Sequence, residues 1–320
     1  MRVFVTGATG FIGFSVVKEL LAAGHRVTGP ARSAASAGKL RDVGAEVRIG
    51  GVEDLDGLRR AASEAEGAIH TAFYHKISHM ALATQIGVFL GGLPTRIPHR
   101  FFAAAVATDR RAIETIGAAL PGKGSPFVAT FGTLSMKSGR LATEDDSYDR
   151  DAPLTAGRAR NEDVLKSFAA HGVRACVIRL PPIVHGPGQY GLASLMFQRA
   201  QKRGESAFPG EGSNRWPSAH RDDVAHLFRL ALEGGASGAY HGVAEEGVPM
   251  REIAAAIGKR LNLPVVAKAG AEVARHFGFI APFVPIDNPA SSALTRERLG
   301  WNATGVGVLA DLEQAELPKG

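Results

Sequence analysis

The chain of 320 residues has a single cysteine, Cys176, so no disulfide can form within it. This thiol lies in the apolar run 175–180, which predicts a buried strand and suits a reducing compartment. The most apolar stretch, 80–93, is about 14 residues long, which is too short to cross a bilayer. The first residues have the pattern of a core strand and not of a signal peptide. We therefore expect a cytoplasmic protein that has no membrane partner.

Charge of either sign is scattered along the chain rather than concentrated. The sequence carries 37 Lys and Arg against 31 Asp and Glu, a formal net charge of +6, and its basic residues form no long run. With only 7% aromatic residues, this pattern does not favour nucleic-acid binding, and anionic cofactors or substrates account equally well for a mild basic excess. A single cysteine also leaves no His/Cys cluster, so we predict no metal site.

A glycine-rich turn near the first residue is the most informative feature that is present. The apolar run 3–5 predicts a strand, residues 14–23 predict a helix, and Gly7, Gly10 and Gly13 lie between them. A strand, a glycine turn and a helix in this order are the context that a dinucleotide-binding site requires. Gly7 permits the tight turn, Gly10 lets the backbone approach a pyrophosphate, and Gly13 lets the helix pack close to the strand. The N–H groups at the start of the helix then face the phosphates.

Strand and helix patterns alternate through the first 185 residues. The strand-like runs are 2–6, 26–29, 46–49, 67–73, 127–131 and 174–180, and the helical patterns between them are 13–23, 35–43, 54–65, 101–119 and 158–170. Repeated βα units predict an α/β fold, namely a Rossmann-type doubly wound parallel sheet with helices on both faces.

After residue 187 glycine and proline separate shorter elements, among them a helix at 220–233 and an amphipathic helix at 249–261. We expect a Rossmann domain that consists of 1–185 and about 216–235, and a smaller C-terminal substrate domain that consists of about 186–215 and 236–320. Ligands of open α/β folds bind at the carboxyl edge of the sheet.

The end of the second predicted strand lacks a carboxylate. NAD-specific sites place an Asp or Glu there, which accepts a bond from the ribose 2′-hydroxyl, but residues 27–33 read Val-Thr-Gly-Pro-Ala-Arg-Ser. Arg32 can meet a 2′-phosphate with charge-assisted bonds and Ser33 can add one more. The alternative is that Arg32 is a solvated surface arginine. We predict NADP(H) as the cofactor, in preference to NAD(H).

The turn reads Gly-x-x-Gly-x-x-Gly with Thr6 in front and Phe11-Ile12 inside. In this it resembles the extended short-chain dehydrogenase/reductase superfamily, the group of NAD-dependent epimerases and dehydratases, and the resemblance runs through nearly the whole chain. Gly51 stands where the family usually has an Asp at the adenine. The resemblance implies that the cofactor also lies against Thr9, Phe11, Ile12, Thr71, Ala72, Phe73, Pro182 and Ile183.

The catalytic Tyr-x-x-x-Lys motif of that family is missing from the sequence. The positions four residues after the four tyrosines are occupied by Ser78, Ala152, Ser194 and Ala244. The helix that should carry the motif is recognisable in 153–162, where Ala156 takes the tyrosine position and Arg160 the lysine position. Arg160 can still bond the cofactor ribose, but Ala156 cannot transfer a proton. The chain therefore resembles the atypical members of the superfamily that lack the usual active site.

Three other residues are candidates for the catalytic role. Thr133 falls where the family has its catalytic Ser or Thr. His185 stands where relatives have a Tyr, and histidine titrates near neutrality, although it can instead cap a loop. Tyr74 follows the fourth strand, near the nicotinamide in the family geometry, or else packs against the long segment 74–98. We expect that segment to be a lid or a subunit contact of a homodimer.

Two functions are compatible with these features. The first is an NADP(H)-preferring oxidoreductase or epimerase-like enzyme that acts on a small carbonyl or alcohol through an acid other than tyrosine. The alternative is a non-catalytic protein that binds NADP(H) and reports redox state to a partner, which the loss of the tyrosine favours. The substrate depends on pocket loops whose positions the sequence does not determine.

Overall fold

The computed structural model describes residues 1–152 and 155–315. Its strands are β1 (Arg2–Thr6), β2 (Arg26–Ala31), β3 (Glu46–Ile49), β4 (Gly67–His70), β5 (Pro126–Gly132), β6 (Arg174–Leu180), β7 (Ile183–Gly186), β8 (Gln189–Tyr190), β9 (Ser206–Pro209), β10 (Arg215–His220), β11 (Gly238–His241), β12 (Glu245–Pro249) and β13 (Val265–Lys268). Its α-helices are α1 (Phe11–Ala22), α2 (Ala34–Arg41), α3 (Leu55–Glu64), α4 (Leu82–Leu90), α5 (Ile97–Ala119), α6 (Ala156–Ser167), α7 (Ala193–Arg203), α8 (Arg221–Gly234), α9 (Met250–Leu261), α10 (Ala271–Phe277), α11 (Ala293–Leu299) and α12 (Val308–Glu313).

Seven strands form one sheet in the order β11-β6-β5-β4-β1-β2-β3. Strand β1 pairs in parallel with both β2 and β4, β2 pairs in parallel with β3, and β4 with β5. In this order the strand sequence reverses between β1 and β4, which is the point where open α/β sheets bind their ligands. The predicted doubly wound α/β fold with smaller C-terminal sheets is confirmed.

The chain divides into two compact units. The first consists of Met1–Phe131, Pro153–Val177 and Phe228–Gly238, and the second of Gly132–Ala152, Ile178–Leu227 and Ala239–Gly320. The segments 132–152, 178–185 and 216–227 thus belong to the second unit, whereas the sequence analysis assigned nearly all of their residues to the Rossmann domain.

The elements of the first unit form for local reasons that the sequence makes visible. The last four residues of β1 are buried, because a central parallel strand is covered on both faces. Helix α2 begins with a capping box in which Ser33 and Ser36 satisfy each other's backbone N–H groups. Helix α3 begins at Asp54, whose carboxylate accepts a bond from the Gly57 N–H at 3.0 Å.

The second unit contains two small sheets, with strand orders β12-β10-β7-β8 and β13-β9. Large apolar side chains fill its core, among them Trp216, Phe197, Ile253 and Phe277, which are all 3% exposed or less. Helix α9, which the amphipathic pattern predicted, ends at Asn262 with a left-handed φ of 54°, a conformation that Asn tolerates better than most residues.

The segment 74–98 contains one helix that the sequence analysis did not predict, α4, and the start of α5. No helix in the described part of the chain is long and apolar enough to cross a membrane.

Candidate cofactor site and predicted catalytic residues

The glycine turn between β1 and α1 is built as the sequence predicts. Gly7 has a φ of +71°, which L side chains rarely adopt, and its carbonyl accepts a bond from the Gly10 N–H at 2.8 Å. A Cβ on Gly13 would lie 2.1 Å from the Gly7 carbonyl oxygen, so only glycine lets α1 start this close to the turn. Thr9, Phe11 and Ile12 are partly exposed beside it.

The loop after β4 supports the turn from behind. The Thr71 hydroxyl donates to the Thr6 carbonyl at 2.8 Å. A Cβ on Gly7 would lie 2.5 Å from the Thr71 Oγ1 and 2.8 Å from the Ala72 nitrogen, so the two segments meet through backbone. The result is a cradle without side chains at the amino end of a helix, where N–H groups and the helix dipole favour a phosphate. These residues fit a dinucleotide pyrophosphate.

A chain of buried hydrogen bonds connects the elements beneath the cradle. The Thr6 hydroxyl lies 2.7 Å from His70 Nδ1, and His70 Nε2 lies 3.2 Å from an Asp109 oxygen. The other Asp109 oxygen accepts a bond from Asn161 at 2.7 Å. All four side chains are 2% exposed or less. Since every buried polar group here has a partner, the chain of bonds fixes β1, β4, α5 and α6 against one another.

Arg32 and Ser33 lie beyond the carboxyl end of β2 and are exposed. The Arg32 guanidinium donates to the carbonyl oxygen of His79, and its aliphatic stem lies over Gly51, where an added Cβ would meet the Arg32 Cδ at 3.3 Å. Ser33 uses its hydroxyl to accept from the Ser36 N–H at 3.2 Å. The two residues predicted to bind a 2′-phosphate, Arg32 and Ser33, therefore bond neutral groups. Residues 27–33 include no Asp or Glu.

Glu53 holds the segment 74–98 against the rest of the first unit. Its carboxylate accepts bonds from the Ala81 N–H at 2.9 Å and from the Thr84 hydroxyl at 2.6 Å. Burial disfavours the charged carboxylate, but these two bonds and a third from the Tyr74 hydroxyl lower the Glu53 pKa. Arg100 closes the other end of α4, since it donates to the carbonyls of Val88 at 2.8 Å and Leu93 at 3.0 Å.

Tyr74 is part of this attachment. Its side chain is 8% exposed, and burial together with the hydrogen bond to Glu53 raises the pKa of the phenol above its ordinary value. A phenol that is held neutral and bonded to a carboxylate is a weaker acid than a free one. Burial and the bond to Glu53 are what the alternative for Tyr74 expects, namely that it packs against the segment 74–98.

Arg158 is the basic residue that reaches the carboxyl ends of β4 and β5, and the sequence analysis did not single it out. Its guanidinium donates to the Thr130 carbonyl at 3.0 Å and lies 4.0 Å above the centre of the Phe73 ring. Burial lowers the Arg158 pKa from its usual value, yet a guanidinium stays charged at neutral pH. The His75 ring lies edge-on to Phe73 at 5.6 Å.

The charged form of His75 is disfavoured. Desolvation and the neighbouring Arg158 lower its pKa to about 4. It stands four residues before His79, but in the described part of the chain no group of three His, Cys, Asp or Glu side chains could hold a metal ion.

Arg158 and Arg160 lie in different surroundings on α6. Ala156 and Ala159 are buried, whereas Arg160 is exposed. The position four residues before Arg158 is Leu154, which together with Pro153 lies outside the described residues. The ribose contact predicted for Arg160 stays a prediction.

The other predicted residues lie in the second unit. Thr133 is fully buried, and its hydroxyl donates to Asn288 Oδ1 at 2.8 Å while Asn288 Nδ2 donates to the Thr133 carbonyl at 2.8 Å. Ile183 is 0% exposed within the core of this unit. Pro182 is also buried, and its carbonyl accepts from the Leu192 N–H at 3.0 Å.

His185 lies on β7 and is 0% exposed. Its Nδ1 bonds Asp311 of α12 at 2.7 Å, its ring lies edge-on to His220 at 5.6 Å, and its Nε2 has no partner among the described residues. Burial lowers its pKa and the Asp311 bond opposes that effect. The pair attaches the last helix to the small sheet, which is what the structural alternative expects, and the catalytic role of His185 stays a prediction.

Comparison with known proteins agrees with the glycine cradle and with the fold. A family model described as NAD(P)H-binding matches residues 7–113. The dTDP-glucose 4,6-dehydratase DesIV of Streptomyces venezuelae has a TM-score of 0.73 at 18% identity and covers 98% of this chain and 95% of that one. A UDP-glucose 4-epimerase of Thermotoga maritima has a TM-score of 0.70 at 21% identity, with 98% and 96% covered. The chain thus contains a segment that matches an NAD(P)H-binding family model, and it has the same fold as these two enzymes.

Two fungal proteins are similar to this chain over its length. The uncharacterized protein C2A9.02 of Schizosaccharomyces pombe is 42% identical over 314 residues, and the uncharacterized protein YLL056C of Saccharomyces cerevisiae is 38% identical over 315 residues, with 98% of each chain covered in both cases. The chain belongs to the family that includes these two proteins. A 2-alkyl-3-oxoalkanoate reductase of Stenotrophomonas maltophilia is 26% identical over 282 residues, or 84% of this chain and 78% of that protein.

Proposed function

We propose that this protein is an NADP(H)-dependent oxidoreductase that acts on a small carbonyl or alcohol. The observation that carries the proposal is the cradle of Gly7 and Gly13, in which a Cβ would meet backbone, together with an arginine in place of an acid at the end of β2. The similarity to a protein named as a 2-alkyl-3-oxoalkanoate reductase supports ketone reduction.

The preference for NADP(H) rests on Arg32. Its guanidinium now donates to a neutral carbonyl, that of His79. A charge-assisted bond to a phosphate is roughly twice as strong as a bond between neutral groups, so a 2′-phosphate is the better partner. Gly51 leaves room for the arginine stem, and no carboxylate stands at this strand end to bind an unmodified ribose.

The Arg32→Ala variant tests this preference. We expect it to weaken NADPH binding by about tenfold or more, because a charge-assisted contact is lost, and to leave NADH binding unchanged. Calorimetric titration measures both affinities. Arg26→Ala is the matched control, since Arg26 is an exposed arginine at the opposite end of the same strand. Equal loss of NADPH and NADH affinity in Arg32→Ala would show that Arg32 stabilises the fold and does not bind the 2′-phosphate.

The residues of this chain position the reactants and leave proton transfer to solvent. A bound nicotinamide supplies or accepts the hydride. The backbone of the cradle would hold the pyrophosphate, and the loop that carries Thr71 and Phe73 would lie beside the nicotinamide. Thr133, Tyr74 and His185 are committed to Asn288, Glu53 and Asp311. We therefore propose that the proton accompanying the hydride comes from water.

The engagement of these three side chains also favours the second candidate function, a protein that binds NADP(H) without turnover. Transfer of deuterium from 4-deuterated NADPH to a ketone product separates the two functions. We expect label in the alcohol from a panel of small ketones and 3-oxo acids. Tight NADPH binding with no labelled product from any member would support the non-catalytic function instead.

A further inference from the structure

Arg158 has a donor that no described residue satisfies. One terminal nitrogen bonds the Thr130 carbonyl at 3.0 Å, whereas Nε is buried and has no hydrogen-bond partner among the described residues. Among the described residues no carboxylate forms an ion pair with Arg158. The nearby acids are committed elsewhere, since Asp109 pairs with His70 and Glu162 with Lys166. Removing a guanidinium from water without a counter-ion costs free energy, and a bound anionic ligand would lower that cost.

A second polar group without a partner lies beside it. Thr130 is 9% exposed, and its hydroxyl has no hydrogen-bond partner among the described residues. It belongs to the residue whose carbonyl holds Arg158. Native proteins leave few buried polar atoms unsatisfied, so two such atoms on bonded neighbours indicate a place for an absent group.

The surroundings favour an anion with an organic body. The Phe73 ring supports the guanidinium from one face at 4.0 Å and packs edge-on against Phe102 at 6.3 Å, which provides apolar surface. The charged form of His75 is disfavoured beside Arg158. The guanidinium fork matches a carboxylate in a bidentate geometry.

The order of the strands separates this place from the parts of the cofactor that carry phosphate. Arg32 follows β2 and the glycine turn follows β1, whereas Thr130 lies near the end of β5 and Phe73 follows β4, on the other side of β1. A dinucleotide whose pyrophosphate lay at the turn and whose adenosine lay at Arg32 would have its nicotinamide near β4 and β5.

We propose that Arg158, assisted by the Thr130 hydroxyl, binds the carboxylate of the substrate, so that the protein acts on an oxo acid and not on a neutral ketone. This inference rests on the proposed function, and it names the substrate class for the same site. Arg158 is a specificity-determining residue in this arrangement, and the hydride step itself remains as described above.

The test is a calorimetric titration of the NADP⁺ complex with straight-chain 3-oxo acids, from acetoacetate to 3-oxodecanoate, and with their methyl esters. A ketone does not react with NADP⁺, so binding is measured without turnover. We expect the acids to bind about tenfold or more tightly than the esters, because the esters lack the charge. Arg158→Gln should remove that preference and leave ester binding unchanged, Arg158→Lys should retain part of it, and Thr130→Val should reduce it less than Arg158→Gln does.

Arg110→Gln is the matched control, because Arg110 is exposed on α5 and pairs only with Glu114 at 2.8 Å among the described acids. Equal binding of acids and esters, or no saturable binding of any acid, overturns the inference. Weaker NADP⁺ binding in Arg158→Gln with an intact preference for acids also overturns it, and assigns Arg158 to the cofactor ribose. Failure of the wild-type protein to bind NADP⁺ at all is a different result, since it contradicts the proposed function itself.

Discussion

Gly13 is the residue at which the cradle leaves the least room. Its virtual Cβ meets the Gly7 carbonyl and the Thr71 hydroxyl, which lies 2.8 Å away. Both belong to the structure that would hold the pyrophosphate, so a side chain at Gly13 displaces the site and not only the helix. The sequence motif was sufficient to predict this position, because a glycine turn between a strand and a helix has few geometries.

Gly13→Ala should therefore lower stability by about 1–3 kcal/mol, as overpacking does, and weaken NADPH binding. Urea unfolding and calorimetry measure the two effects. Gly38→Ala is the control, because its Cβ would meet nothing within 4 Å in α2, and alanine in a helix is favoured by roughly 0.5–1 kcal/mol. Similar behaviour of the two variants would contradict the close approach at Gly13.

Single residues also show where sequence reasoning reached its limit. Arg160 is predicted to contact the ribose and is exposed, whereas Arg158, which the sequence analysis did not single out, bonds the Thr130 carbonyl. Helix phase near an amino terminus depends on which side chains the sheet buries, and the short apolar pattern of 156–160 did not determine it.

At the scale of elements, three hydrogen bonds to one carboxylate attach the start of the segment 74–98. Glu53 accepts from the Ala81 N–H, the Thr84 hydroxyl and the Tyr74 hydroxyl, and so connects the start of α4 to the loop before α3. The sequence showed the extra length but not the attachment, because Glu53 precedes the segment by more than twenty positions and follows no motif.

Glu53→Gln should loosen this attachment, because bonds to a charged acceptor contribute about 1.5–3 kcal/mol each. We expect amide hydrogen exchange in 74–98 to accelerate roughly tenfold or more, with little change elsewhere in the first unit. Mass spectrometry of peptides from this segment measures the rate. Glu114→Gln, which removes an exposed ion pair from α5, should leave it unchanged. Slow exchange in both variants would show that apolar packing holds the segment.

For the whole molecule, the alternation of strands and helices was enough to predict the sheet, since repeated βα units permit few topologies. The contacts that engage the predicted catalytic residues were not predictable in this way. Thr133 bonds Asn288 and His185 bonds Asp311, and each pair spans more than a hundred positions. Such partners are set by how the second unit packs, not by any local pattern.

The buried histidines make stability depend on pH. Burial lowers the pKa of His185 and of His276 in the folded protein, whereas an unfolded histidine titrates near 6.5. The unfolded chain therefore takes up protons first as the pH falls below about 6.5, and stability decreases in that range. His185→Gln removes one of these groups, so its thermal midpoint should fall less between pH 7.5 and 5.5 than that of the wild-type protein. An equal or larger fall would contradict a buried neutral His185.

The most direct test of the whole account is a calorimetric titration of the intact wild-type protein with NADPH and with NADH. Calorimetry is preferable to fluorescence, because Trp216 and Trp301 are 1% exposed or less and both belong to the second unit. The account predicts saturable binding of one NADPH per chain and much weaker binding of NADH. Saturation with neither nucleotide would contradict a functional glycine cradle, and tighter binding of NADH would contradict the role of Arg32.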